Sequence, residues 1–374
     1  MILWKVWPGD AAASRWGRNS STAAERTQAQ RGTLADPSVK YRPMSAVNDF
    51  DYADFTPPAW VRGPHAQSVL SSAVPRRWIV RHRAREYIEG GQPLLIDCGD
   101  GVRLCGDFNA ATGAANGRLV VMLHGWEGSS QSIYNLSLGP RLRQAGYDTL
   151  RLNLRDHGDS HHLNEELFHS CRLPEVVGAL RWIARRFPER RLAMVGYSLG
   201  GNFSLRVARE AACEDFELER VVAICPVLDP AHTMEALVSG PGIYQQYFIT
   251  KWRRSLEKKR AAFPHLYQFD NLTRFDDIRE MTDYFVTRYT DYGNLNTYLQ
   301  GYAITEGRLG GLEVPATAIL ADDDPVIPVT GLAALDRPAA LRVVRTRFGG
   351  HCGFLDGRLG RSWIDEFVLS ELAR

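Results

Sequence analysis

The sequence predicts an α/β architecture, a mostly parallel eight-stranded sheet flanked by helices, and three features predict it. From residue 76 onward, short β-branched or apolar runs alternate with longer segments of helical period, the pattern of a parallel sheet covered by helices. The apolar runs, such as LVVML at 119–123, have the length of buried strands and fall well short of the roughly 18 residues that a membrane span needs. One helical, aromatic-rich interval of about 90 residues interrupts the rhythm and is too long to be a simple connection.

Taken in order, residues 1–45 are rich in Ala, Ser, Arg, Thr and Gln, lack periodicity and read as a flexible tail. An Arg-rich targeting leader and a later start at Met44 are the alternatives for this segment. Its opening MILWKVWPGD is broken by Lys5 and Pro8 before the apolar core of a signal peptide can form. A single domain is expected over 46–374, with strands at 77–88, 102–109, 118–123, 148–154, 191–195, 220–225, 315–320 and 341–348. Helices are expected near 134–145, 172–187, 199–212 and 361–373. Between the sixth and seventh strands lies a helical, cap-like insertion, 226–312, whose aromatic residues either cover the sheet or line an access route for an apolar substrate. Its charge run KWRRSLEKKR at 251–260 reads as a solvated helix face, with peripheral membrane contact left open.

The chain has 374 residues, 44% of them hydrophobic, enough for a large core, and this excludes global disorder. Lys plus Arg minus Asp plus Glu is 45 − 43 = +2, which leaves no basic surplus for a nucleic-acid partner. Six dispersed cysteines without a CxxC pair point to reduced thiols and a cytoplasmic setting.

The sharpest chemical signal is GYSLGG at 196–201, a G-x-S-x-G pattern placed after the apolar run RLAMV and before the helical run NFSLRVAREA. A nucleophile on so tight a turn needs small neighbours, and the helix N-terminus favours developing negative charge, so Ser198 is the candidate nucleophile. HGWEGSS at 124–130 follows another strand, where the backbone amide of Trp126 is expected to pair with that of Leu199 as oxyanion donors. Two late loops complete the order serine, acid, histidine: LADDDPVIP at 320–328 and FGGHCGF at 348–354. His351 is the expected base and Asp324 the favoured acid, with Asp323 in reserve and Asp322 less favoured. The cluster Asp156, His157, Asp159, His161 and His162 has metal-ligating residue types, but loop hydrogen bonding explains it equally well and this chemistry requires neither metal nor cofactor. Cys352 reads as a packed thiol rather than a second nucleophile.

These motifs resemble the α/β-hydrolase superfamily over roughly residues 55–374. RGPHAQSVL at 62–70, FHS at 168–170, RFDDIREMTDYF at 274–285 and GGHCGF are similar to its YheT-like, embryogenesis-associated branch of esterases. Trp126 stands where that branch usually carries Leu, and RDHGDSHH at 155–162 looks like the generic hydrolase loop. The resemblance implies a Ser198–His351–Asp324 triad that cleaves small-molecule carboxylic esters, of medium-chain acyl or lipid type, through an acyl-enzyme. A non-catalytic ligand-binding or sensing protein, and an acyltransferase or thioesterase on the same triad, are the alternatives. His65 and Gln67 either sit near the active-site mouth or clamp the early segment to the sheet.

Overall fold

The central strands of the sheet pair in parallel, which brings their C-terminal ends to one edge, and their spatial order departs from their order in the chain. The computed structural model describes residues 50–269, 271–358 and 360–374. The tail expected over 1–45 lies outside the described residues, as do residues 46–49 of the expected domain.

Among the described residues the strands are β1 (Asp51–Tyr52), β2 (Gln92–Gly99), β3 (Val102–Asn109), β4 (Arg118–Leu123), β5 (Asp148–Asn153), β6 (Arg191–Tyr197), β7 (Leu218–Ile224), β8 (Ala316–Ala321) and β9 (Leu341–Thr346). They form one nine-stranded sheet in the order β1-β9-β8-β7-β6-β4-β5-β3-β2. Pairing is antiparallel between β2 and β3 and between β3 and β5, and parallel elsewhere. The helices are α1 (Pro64–Leu70), α2 (Val74–Arg83), α3 (Arg85–Glu89), α4 (Ile133–Gln144), α5 (Leu173–Arg186), α6 (Leu199–Glu210), α7 (Pro230–Ser239), α8 (Gly242–Ala262), α9 (Ile278–Tyr289), α10 (Leu295–Gln300) and α11 (Trp363–Leu372).

The central strands have no solvent face. Leu119 to Leu123 of β4 are all fully buried, with Leu119, Val121 and Leu123 in the larger core and Val120 and Met122 in the core on the other face. Helices cover both faces, which is why these strands read as unbroken apolar runs and not as alternating ones. The second face is closed by Leu138 and Leu142 of α4 and by Ile364 and Val368 of α11. The chain from β7 to β8 runs through α7 to α10, and Met234, Ile249, Met281 and Leu299 from these helices join the larger core.

One expected strand is wrong. Residues 77–88 are helical, belonging to α2 and α3, and the corresponding strand is β2 at Gln92–Gly99. The β-branched run Ile79–Val80 suggested a strand, but Val80, Ala84 and Tyr87, at spacings of four and three, are the residues that bury, and that period is helical. β2 is an edge strand that buries Ile96 and Cys98 and leaves Leu95 exposed, so only a short alternating pattern marked it. β1 adds a ninth, two-residue strand on the opposite edge, too short to carry a periodic signal.

The charge run in α8 is not wholly solvated. Lys259 is 1% exposed, and its Nζ donates to Asp156 Oδ1 at 2.8 Å and to the carbonyls of Asn164 and Glu166. Asp156 also accepts from the amide of Phe168, so the α7–α10 segment is tied to the loop after β5 by a buried, fully bonded ion pair. Removing one partner of such a pair leaves the other charge buried. Lys259→Ala is therefore expected to lower unfolding free energy by about 3–5 kcal/mol, and a Lys259→Met/Asp156→Leu double variant to cost less, both read from urea denaturation midpoints.

Candidate active site

β6 lies between β4 and β7 and delivers Ser198 to the sheet edge, where the chain reverses into α6. Ser198 has φ 54 and ψ −118, a conformation that costs a non-glycine residue strain. Its neighbours make room for it. A Cβ on Gly196 would lie 2.2 Å from the carbonyl oxygen of Gly200, and one on Gly200 would lie 2.4 Å from that of Leu123. The Ser198 amide donates to Ile224 O at 2.8 Å, pinning the turn to β7.

His351 approaches from the loop after β9. Its Nε2 is 3.0 Å from Ser198 Oγ, and its Nδ1 is 2.9 Å from Asp324 Oδ2. Asp324 is itself held, because its Oδ1 accepts from the amides of Val326 and Ile327 at 2.8 and 2.9 Å. Asp323 turns elsewhere and accepts from the Gly350 amide at 2.8 Å, while Asp322 pairs with Arg345. Burial opposes a charged imidazole, but the carboxylate of Asp324, with a contribution from the sulfur of Cys352, outweighs it and pushes the His351 pKa up to about 9.

The loop after β4 exposes one amide in particular. The Gly125 amide donates to Tyr134 Oη, the Glu127 amide to His157 Nε2 and the Gly128 amide to Gly125 O. Trp126 N, and Leu199 N at the start of α6, have no hydrogen-bond partner among the described residues. A Cβ on Gly125 would lie 3.1 Å from Ser198 Cβ, so this loop passes directly over the serine. The Trp126 ring stacks on Phe248 of α8 at 5.2 Å and meets Trp252 edge-on at 5.4 Å, which gives the tryptophan a partner from the α7–α10 segment.

The early segment is a clamp. Gln67 is fully buried, donates to Val61 O and Leu355 O, and accepts from the Leu355 amide at 2.6 Å. Ser68, which sequence reasoning missed, accepts from the His351 amide at 2.8 Å. His65 bonds Tyr244 Oη at 2.9 Å, linking α1 to α8. In the sequence Ser68 was marked only as a member of the RGPHAQSVL segment, with no role of its own.

The histidine-rich loop is committed to structure. His157 Nδ1 is 2.7 Å from Arg155 O, His161 Nε2 is 2.9 Å from Ser255 Oγ, and Asp159 pairs with Lys258. Among the described residues the donor atoms that converge are those of Cys225, His351 and Cys352, within 4.8 Å of one another. His351 has both ring nitrogens engaged, by Asp324 and Ser198, so no nitrogen is left over for a metal. Cys352 Sγ packs 3.8 Å from Ile224 O, beneath the serine turn.

Ser198 and His351 line a cavity of about 750 Å³, walled by Trp126, Tyr244, Tyr247 and Phe248. The sequence pattern of the alpha/beta hydrolase fold matches residues 118–358, which contain the serine turn, the Asp324 loop and the His351 loop. The chain belongs to the α/β-hydrolase family. It is 28% identical over 334 residues to YheT of Escherichia coli strain K12, an esterase by name, covering 86% of this chain and 94% of that protein. It is 24% identical over 327 residues to the embryogenesis-associated protein EMB8 of Picea glauca, covering 82% of this chain and 69% of that one. The resemblance to that branch is thereby borne out. Among solved structures, a Pyrococcus furiosus esterase superposes with a TM-score of 0.51 at 15% identity, over 76% of this chain and 92% of that one, a likeness of fold. No helix among the described residues of this hydrolase is long and apolar enough to cross a membrane.

The His351–Asp324 pair has a direct readout. NMR titration of the His351 ring should give a midpoint well above the ordinary 6.5, up to about 9, and Asp324→Asn should lower it. Because the folded pKa is raised, the pair's contribution to stability is fully present below about pH 6.5 and is lost as pH rises through about 9.

Proposed function

We propose that this α/β-hydrolase is a serine esterase that cleaves carboxylic esters through a covalent acyl-enzyme. The observation that carries the reading is the continuous Ser198–His351–Asp324 hydrogen-bond relay, 3.0 and 2.9 Å, opening into a cavity. Ser198 Oγ attacks the ester carbonyl carbon while His351 Nε2 takes its proton. The carbonyl oxygen becomes an oxyanion that accepts from the amides of Trp126 and Leu199, worth about 10²–10³ in rate for each such donor. On collapse His351 returns the proton to the leaving alkoxide, and the alcohol departs. Water, deprotonated by the same ring, then attacks the acyl carbon, releasing the acid and restoring Ser198. Asp324 holds Nδ1 protonated and stabilises the imidazolium at each stage.

In this reading residues 226–312 act as the cap, and Trp126, Tyr244 and Phe248 form the wall against an acyl chain of medium length. Relatives named as esterases and lipases support the reaction class. The complete relay weighs against a non-catalytic binding protein, while thioester hydrolysis and acyl transfer would use the same atoms in the same order.

A fluorophosphonate probe should add one adduct to the wild type and none to Ser198→Ala by intact mass, and that variant should lose about 10⁴–10⁶ in turnover while keeping its melting temperature. Labelling of a folded Ser198→Ala, or retained ester turnover in it, would sink the assignment. The base must be neutral to accept the serine proton, so kcat/KM for a non-ionising ester should rise with pH on an acid limb displaced upward from 6.5 toward about 9. A limb centred below 6.5 would contradict the Asp324 contact.

A further inference from the structure

Two helices far apart in sequence present cations to the active-site cavity. Arg76, Arg77 and Arg81 come from α2, and Lys251, Arg254 and Lys258 come from α8. On α8 the spacing of three and then four places the three on one helical face. A chain whose net charge is only +2 has thus gathered six cationic side chains around one cavity. Several surface arginines elsewhere are paired, as in Arg85–Glu89, Arg181–Asp215 and Arg342–Asp51. Of the six, only Lys258 has a carboxylate within 4.0 Å among the described residues, at Asp159. Among the described residues Arg76 and Arg77 bond only main-chain carbonyls, those of Ser71 and Ser72.

The cavity's own carboxyl groups offset this charge only in part. Asp156 is spent on Lys259, burial pushes Glu127 up to about 8, and Asp365, pushed up to about 6 and so mainly ionised at neutral pH, accepts from Ser137 Oγ and lies 4.0 Å from Arg141. Arg76 is the most telling of the cations. It is 6% exposed, lines the cavity, and its Nε has no hydrogen-bond partner among the described residues. The carboxylates that act on it, Asp365 and Asp356, stay beyond 4.0 Å, and a buried guanidinium with an unmet donor is costly unless something completes it.

We infer that the cavity selects esters carrying an anionic oxyacid group, a phosphate or a carboxylate, which Arg76, Lys251 and Arg254 bind while the carbonyl sits at Ser198. The inference rests on the esterase reading and adds the substrate class to it. Guanidinium and ammonium groups make charge-assisted hydrogen bonds to such oxygens, and the aromatic wall takes the uncharged part of the ester. An anionic membrane is the competing source of negative charge, since Val74, Trp78 and Ile243 are exposed near these cations. A flat bilayer cannot reach a guanidinium that is 6% exposed, which favours a ligand entering the cavity.

The test compares kcat/KM within two soluble pairs that differ in one anionic group: 1-butanoylglycerol 3-phosphate against 1-butanoylglycerol, and 4-nitrophenyl hemisuccinate against 4-nitrophenyl butanoate. At low salt the anionic member should be preferred by about tenfold or more in at least one pair, and the pair that shows it identifies phosphate or carboxylate. The preference should shrink in about 0.5 M NaCl and fall toward unity in Lys251→Gln/Arg254→Gln and, checked for folding by its melting curve, in Arg76→Gln. Equal rates within both pairs, with the neutral esters turned over, would overturn the inference and leave the esterase reading standing. The same equality together with sedimentation on phosphatidylglycerol vesicles would assign the cations to a membrane surface instead. Failure to turn over any ester, with no fluorophosphonate adduct, would remove both readings.

Discussion

The backbone of Ser198 is the constraint around which the site is arranged. A left-handed φ of 54 at the junction of β6 and α6 lifts the side chain off the sheet and leaves the first amides of a twelve-residue helix pointing toward the same space. The turn survives only because Gly196 and Gly200 let strand, turn and helix approach to distances a methyl group would forbid. Its hydrogen bond to Ile224 transfers the position of the turn to β7, and the parallel pairing of β7, β8 and β9 carries that register to the loops holding Asp324 and His351. The geometry of three side chains from three loops therefore follows from one strained residue and the sheet that supports it.

The loop above the serine is fixed differently, by buried neutral histidines. His124 Nε2 accepts from the Leu154 amide, and His157 Nε2 accepts from the Glu127 amide, while each Nδ1 faces a carbonyl. Each ring must therefore be neutral with its proton on Nδ1, since a second proton would set donor against donor. Burial enforces this, pushing His124 well below its ordinary pKa and His157 down to about 4. Their neutrality keeps the Trp126 amide in place across the range over which His351 titrates, so the two functions of histidine in this site are separated by environment alone.

The sequence made the serine turn, the order of the three late motifs and seven of the eight expected strands legible, because each is a local pattern backed by a steric or periodic rule. What it hid was non-local. The helical identity of residues 77–88 depends on Val80, Ala84 and Tyr87 finding α4, and the two-residue β1 exists only through its pairing with β9. Asp323 and Asp324 are adjacent and chemically identical, so only the three-dimensional path of the loop separates the carboxylate that meets His351 Nδ1 from the one that meets Gly350 N. Ser68 and Lys259 were invisible for the same reason: a serine in a short helix and a lysine in a charge run carry no mark of the backbone atoms they will meet.

Glu127 shows how these levels combine. It follows Trp126 with φ 56, lines the cavity, and would place a negative charge beside the amides proposed to receive an oxyanion. A carboxylate there would oppose the developing charge through a low-dielectric medium, where such repulsion is strongest. Burial pushes its pKa up to about 8, so near neutral pH the group is mainly protonated and acts as a dipole instead of an anion. The loop geometry that bares the Trp126 amide also half-buries the next side chain, and its desolvation suppresses, near neutral pH, the charge that would work against the amide. An acidic residue is tolerated at this position because the fold holds it in its neutral form.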